Sequence, residues 1–311
     1  MSASPGEQAG GRAWVHAGGR VALPTGRCRV MAIVNVTPDS FFDGGRWWDG
    51  QGELGAATEA IVAQARAWVD AGAAVLDVGG ESTRPGAEAV SHDDERARVV
   101  PIIAALAGSF PAVAISVDTR HAEVARAGLE AGATIVNDVS TLADPGMARV
   151  VGSAGAGLCI SHMRGIPETM QRDIAFDDVV AEVGDELAAA VERALAAGVT
   201  REQILVDPGV GFGKSAEQSA ALVCASATLE ARTGCPVLIG ASRKSFLGRL
   251  LGKGLSLPVS ERGLPSVVAA ALAAEHGAAM VRVHDVLDTC RAMDLHAAML
   301  AARLERGEGA R

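Results

Sequence analysis

The chain is 311 residues long and carries 28 Lys+Arg against 37 Asp+Glu, a formal charge of −9. Apolar residues make up 49% and charged ones 21%, so a full hydrophobic core can form without disulfides or a structural metal. The acidic balance and the lack of a Lys/Arg-rich run argue against nucleic-acid binding, and no apolar run is long enough to span a bilayer. The start of the chain has no apolar core of a secretory signal. The five cysteines (Cys28, Cys159, Cys224, Cys235, Cys290) are scattered and form no C-x-x-C pair, which fits thiols in a reducing cytosol. A cytoplasmic protein without nucleic-acid or membrane partners is expected.

Residues 1–28 are Gly-, Ala- and Ser-rich without periodicity and read as a flexible extension; residues 307–311 read as a frayed tail. Between them, over 29–306, a short β-rich apolar run followed by a turn and an amphipathic stretch recurs eight times. In chain order the runs are RVMAIVNV from Arg29, AAVLDVGG from Ala73, VAISVDT from Val113, TIVNDVS from Thr134, LCISHM from Leu158, ILVDPGVG from Ile204, VLIGAS from Val237 and AMVRVHD from Ala279. Several are apolar on both faces, as parallel strands covered by helices must be. The stretch after the first run has Leu54, Ile61, Ala65 and Trp68 on one stripe and ends near Gly72; the clearest helix has Val179, Val183, Leu187, Val191 and Leu195 every four residues. Eight alternations and no dinucleotide fingerprint favour a single-domain α/β (β/α)8 TIM barrel over an open doubly wound sheet.

That fold carries its chemistry at the C-terminal ends of its strands. The unusual polar residues fall there: Asn35, Asp77, Asp118, Asn137, His162, Asp207, Ser242, Lys244, Arg282 and His284. Asp118, Asn137 and Asp207 end three strands and either read the donor edge of a heterocycle, bind a metal, or pair with Arg84, Arg243 or Lys244. Arg282 and His284 leave one face of the last strand and suit an anion, unless Arg282 pairs with Asp285. Ser242-Arg243-Lys244-Ser245 opens a helix and offers either an anion site or an ordinary cap at Ser242. The run from Gly209 to Ser215 looks like the end of a phosphate loop, but Pro208 holds that motif's first glycine position, and the dinucleotide pattern G-x-G-x-x-G fails because Lys214 holds its last, so the run reads as a glycine-rich turn. The polar loops from Asn35 to Gly45 and from Gly79 to Glu88 hold aromatics and behave like lids or like simple connections.

Taken together in order, NVTPDSFFDGG, DVGGESTRPGA, SVDT, VNDVS, DPGVGFGKS, GASRKSFLG and RVHDV resemble the dihydropteroate synthases, a pterin-binding family, from about Arg29 to Leu304. The resemblance implies condensation of 6-hydroxymethyl-7,8-dihydropterin pyrophosphate with p-aminobenzoate, giving dihydropteroate and pyrophosphate with Mg²⁺. It implies that Asp118, Asn137, Asp207 and Lys244 hold the pterin, and that Arg84, Arg282 and His284 grip the diphosphate. Asn35 and Asp43 meet the metal or its diphosphate, and Phe41, Thr83, Pro85, Phe212 and Ser245 line the aminobenzoate site. Asp118, Lys244, Arg282, His284 and Arg84 are the expected catalytic set. A homodimer is implied as well, and Val267, Ala271, Leu272 and Met293 form a stripe compatible with it.

Three positions depart from the family pattern: Ser161 where a long apolar residue is usual, Val210 where a larger one is common, and Phe42 in place of a small Ser. None removes a charge, so they bear on affinity and inhibitor response more than on activity. Two other functions share the pterin pocket: a non-catalytic pterin-binding paralogue, and a methyltetrahydrofolate-dependent corrinoid methyltransferase. The latter has no use for Arg84, Arg282 and His284.

Overall fold

The computed structural model describes residues 12–36, 54–82, 90–172, 174–251 and 257–306. A two-stranded antiparallel hairpin comes first, β1 (Ala13–His16) and β2 (Gly19–Ala22). Eight parallel strands follow: β3 (Arg29–Asn35), β4 (Val75–Gly79), β5 (Ala114–Asp118), β6 (Ile135–Asp138), β7 (Gly157–Ser161), β8 (Ile204–Asp207), β9 (Leu238–Ile239) and β10 (Met280–Val283). The helices are α1 (Leu54–Asp70), α2 (His92–Ser109), α3 (Ala122–Glu130), α4 (Met147–Ala154), α5 (Val179–Ala196), α6 (Ala216–Val223), α7 (Ser226–Thr233), α8 (Ser245–Leu251), α9 (Gly263–Glu275) and α10 (Val286–Glu305). Strand pairing runs β8-β7-β6-β5-β4-β3-β10-β9, and a parallel bridge between Val206 and Val237 joins its two ends. The sheet is therefore a closed (β/α)8 barrel, and each expected apolar run supplies one strand of it.

Alternation along each strand divides the core in two. In β3, Val30, Ala32 and Val34 face outward and pack with the helices, whereas Met31 faces the barrel axis. The inward set at the floor is Met31, Val75, Ala114, Ile135, Cys159, Leu205, Leu238 and Met280. Helix α5 buries Val183, Leu187 and Val191 as its spacing demands, and Asp178 caps it by accepting from the N–H groups of Val180 and Ala181. Ser215 closes a capping box with Gln218 at the start of α6, so the Gly-Lys-Ser sequence is a helix entry and not a phosphate loop.

The expectation of a flexible extension to residue 28 is corrected for residues 12–28. The hairpin closes the floor of the barrel: Trp14, Val21 and Leu23 are buried against the inward floor residues. Trp14 Nε1 donates to the Gln203 carbonyl at 2.8 Å. Small residues and glycines concealed this from a periodicity reading, because a four-residue strand has too few alternations to register. Residues 1–11 and 307–311 lie outside the described residues.

Candidate active site

Two residues above the floor, the inward layer is Ile33, Asp77, Ser116, Asn137, Ser161, Asp207, Gly240 and Arg282. A layer of apolar side chains would simply continue the core; this one is mostly polar, and Asp77, Ser116, Asn137, Ser161 and Asp207 are all buried. Burying such groups costs several kcal/mol unless each finds a partner. The partners they find define the site.

Arg282, on β10, is the hub. Its Nε donates to Asp77 Oδ2 at 2.6 Å, and its Nη2 donates to Asp118 Oδ2. Asn137 Nδ2 donates to the same Asp77 oxygen at 3.1 Å. One guanidinium thus faces two carboxylates, and the surplus negative charge registers on Asp118. Burial pushes its carboxyl up to about 7; Arg282 opposes the rise, while Asp77, Glu95 and Glu81 add to it. Burial works against the Arg282 cation, but Asp118 and Asp77 outweigh it and hold its pKa above the ordinary value.

Asp207 and Lys244 form a second group. Asp207 Oδ1 accepts from the Gly209 N–H at 2.7 Å, and a Cβ at Gly240 would stand 3.2 Å from its Oδ2, so small neighbours keep the carboxylate edge open. Burial raises the Asp207 carboxyl, against the pull of Lys244, the Gly209 N–H, Arg282 and Lys214. Lys244 Nζ donates to the Val210 carbonyl and lies 3.8 Å from the centroid of the Phe212 ring. Burial draws this ammonium down to about 8, with Asp207 resisting. The backbone that delivers Lys244 is strained: Arg243 has φ +56°, which costs a non-glycine residue about 1–2 kcal/mol. Ser266 Oγ accepts from the Arg243 N–H at 2.8 Å, and Asp285 clamps its guanidinium, holding that conformation.

A third group joins β3 to β10. His284 Nδ1 lies 3.0 Å from Ser242 Oγ, which also accepts from the His284 N–H at 3.1 Å. Asn35 Nδ2 stands 3.5 Å from His284 Nε2. Ser242 therefore orients His284 and does not cap α8, and Asp285 pairs with Arg243, not with Arg282. Ser245 opens α8 and is exposed.

Beside β4, Arg120 holds Glu81 through two bonds of 2.8 and 3.0 Å, and His121 Nδ1 sits 2.8 Å from the buried Glu95. Glu81 stands just after β4, close in sequence to Thr83, Arg84 and Pro85. Those three residues, with Phe41, Phe42 and Asp43, lie outside the described residues. Ser161 is buried, and its Oγ has no hydrogen-bond partner among the described residues. Val210 is buried too, and serves the site through its carbonyl.

Sequence reasoning located Asp77 at a strand end but gave it no role, although it ties Arg282 to Asn137. The available signal was a carboxylate inside an otherwise apolar strand, two residues on from inward Val75. Lys214, dismissed with the phosphate-loop reading, is also buried at the site's edge.

Residues 31–284 match the family model described as pterin binding enzyme. The dihydropteroate synthase of Escherichia coli K12 is 42% identical over 274 residues, spanning 88% of this chain and 92% of that protein. The chain belongs to the dihydropteroate synthase family. Among solved structures, the Yersinia pestis dihydropteroate synthase with a sulfonamide drug complex superposes with a TM-score of 0.84 at 38% identity, covering 93% of this chain and 99% of that one. The Burkholderia cenocepacia dihydropteroate synthase complexed with 7,8-dihydropteroate gives 0.81 at 38% identity, covering 95% and 99%. These relatives belong to one enzyme family, and the solved ones share the chain's barrel.

Proposed function

We infer that the protein condenses 6-hydroxymethyl-7,8-dihydropterin pyrophosphate with p-aminobenzoate, forming 7,8-dihydropteroate and releasing pyrophosphate. The observation that carries this reading is one barrel mouth at which buried acceptors stand beside cationic donors, the two sides linked through Arg282. Asp207, Asn137 and Asp118 offer acceptors to the N–H edge of a pterin, and Lys244 offers a donor to its ring carbonyl. Arg282 and His284, with Arg84 from the adjoining loop, suit the diphosphate. Phe41, Thr83, Pro85, Phe212 and Ser245 are assigned to the aminobenzoate.

An arylamine is neutral at pH 7 and needs no strong base to act as nucleophile. The demanding event is cleavage of the C–O bond to diphosphate. Arg282 and His284 offset negative charge growing on the leaving group, while Asp118 and Asp207 support positive charge shared between the methylene carbon and the electron-rich ring. Catalysis is then positional and electrostatic, with no covalent enzyme intermediate. Asn35, at the end of β3 beside His284, and Asp43 supply the oxygen donors a hard cation prefers, so they fit Mg²⁺. When bound, the ion would neutralise diphosphate charge.

We also assign a homodimer formed through α9 and α10, in the cytoplasm. Leu264, Val268 and Leu272 recur every four residues on an exposed face of α9, and Leu295 and Met299 extend exposed apolar surface on α10. Met293 is buried in the core, so it leaves the expected stripe. No helix of the described residues is long and apolar enough to cross a membrane.

The test is a pyrophosphate-release assay with the product identified by mass. Dihydropteroate that forms only with both substrates is expected. Folded protein that binds pterin but forms no product would favour the non-catalytic paralogue.

A further inference from the structure

The turn between β8 and α6 is held by three side chains on three successive carbonyls. Lys244 takes Val210 O, Gln171 Nε2 takes Gly211 O at 2.7 Å, and Lys214 Nζ takes Phe212 O at 2.9 Å. Of these only Lys214 works from inside the protein: it is 3% exposed, and its ammonium also reaches His162 Nδ1 at 3.0 Å. An ammonium has no lone pair, so the imidazole must be neutral at Nδ1 and carry its proton on Nε2. That Nε2 stands 2.9 Å from Glu186 Oε2 on α5, and Arg164 holds the other oxygen at 2.9 Å. The turn lies directly on this support, for a Cβ at Gly209 would come within 1.8 Å of the His162 carbonyl. A buried ammonium is expensive, and its field falls on Asp207, whose carboxyl it helps to keep ionised.

We propose that Lys214, seated on His162, is a positioning residue for the pterin half of the site. It fixes the Gly209–Gly213 turn, hence the Phe212 ring beneath Lys244, and it sustains the charge of Asp207 without touching substrate. The proposal rests on the assignment of Asp207 and Lys244 to the pterin. Burial draws Lys214 down to about 7 and Lys244 down to about 8. The charged and titratable groups around Lys214 are His162 and Arg164 after β7, Glu186 on α5, Asp207 ending β8, and Lys244 after β9.

The experiment is calorimetric binding of 6-hydroxymethylpterin and, separately, of inorganic pyrophosphate to the wild type and to Lys214→Met, each across a range of pH. The expected result is that Lys214→Met weakens pterin at least fivefold while pyrophosphate binding changes by less than twofold. Relative to Lys214→Met, the wild type loses pterin affinity as pH rises through about 7, where burial leaves the Lys214 ammonium to discharge. Lys214→Gln, which retains a donor and loses the charge, is read by the same criterion if the methionine variant does not fold. A pterin effect below fivefold, or an equal loss of both ligands, overturns the proposal. Wild-type protein that binds pyrophosphate but no pterin refutes the underlying assignment instead.

Discussion

Arg282 does two things at once: it faces the barrel mouth, and it neutralises Asp77 and Asp118. From the sequence alone, Arg282→Ala reads as a loss of diphosphate binding that spares a plain pterin. The hydrogen bonds change that expectation, since removing the guanidinium leaves two buried carboxylates uncompensated and releases the Asp77–Asn137 contact. Arg282→Ala should lose about 3–5 kcal/mol of stability in chemical denaturation, as a broken buried ion pair does, and should weaken pterin as well. Wild-type stability in the variant would show that the hub is not structural. The titration of Lys244 makes a second prediction. Below about 8 the ammonium is charged and can donate to the ring carbonyl; above it the charge is gone. Affinity for a plain pterin should therefore fall as pH rises through that value, and in Lys244→Met this step should be missing from the calorimetric profile. Such roles were only half legible in the sequence. Position at a strand end singled out Asp118, Asn137 and Asp207, but the pairing of Arg282 with Asp77 joins residues 205 apart along the chain. No local pattern encodes that choice between Asp285 and Asp77.

Among the elements, the eight barrel strands were readable because each buried run alternates with a helix. The hairpin β1–β2 was not, and it holds the more surprising dependence. Trp14 fills the barrel floor, and its indole N–H satisfies the Gln203 carbonyl. Trp14→Ala should cost about 3–5 kcal/mol in a guanidinium melt, the usual loss for a buried Trp. Deletion through Gly26 should destabilise the barrel for the same reason, although the site lies at its opposite end. Unchanged melts would return residues 12–28 to the status of an extension. The turn after β8 shows the reverse case, in which a motif legible as a phosphate loop does different work. Its glycines allow close backbone approach to His162, and its Ser215 caps α6.

For the whole molecule, the closed barrel sets polar chemistry at one end and the apolar hairpin at the other. Fold class followed from counting strand–helix repeats, a global property that survives errors in any one boundary. Assembly did not follow, because an apolar position on an outer helix faces either the barrel or another subunit. Met293 packs on the barrel; Leu264, Val268 and Leu272 face outward. Light scattering should give the mass of a dimer, and Leu272→Glu should halve it; a monomeric wild type would exclude the α9–α10 interface.

In the proposed reaction the pterin rests on Asp207 and the diphosphate on His284 at one mouth, with Arg282 linking the two sides. Calorimetry of plain pterin and of pyrophosphate against Asp207→Asn and His284→Ala tests it most directly. Asp207→Asn should weaken pterin by about 1–3 kcal/mol through the loss of charge-assisted hydrogen bonds and leave pyrophosphate nearly unchanged. His284→Ala should do the opposite. Two variants that lose both ligands alike would contradict that assignment.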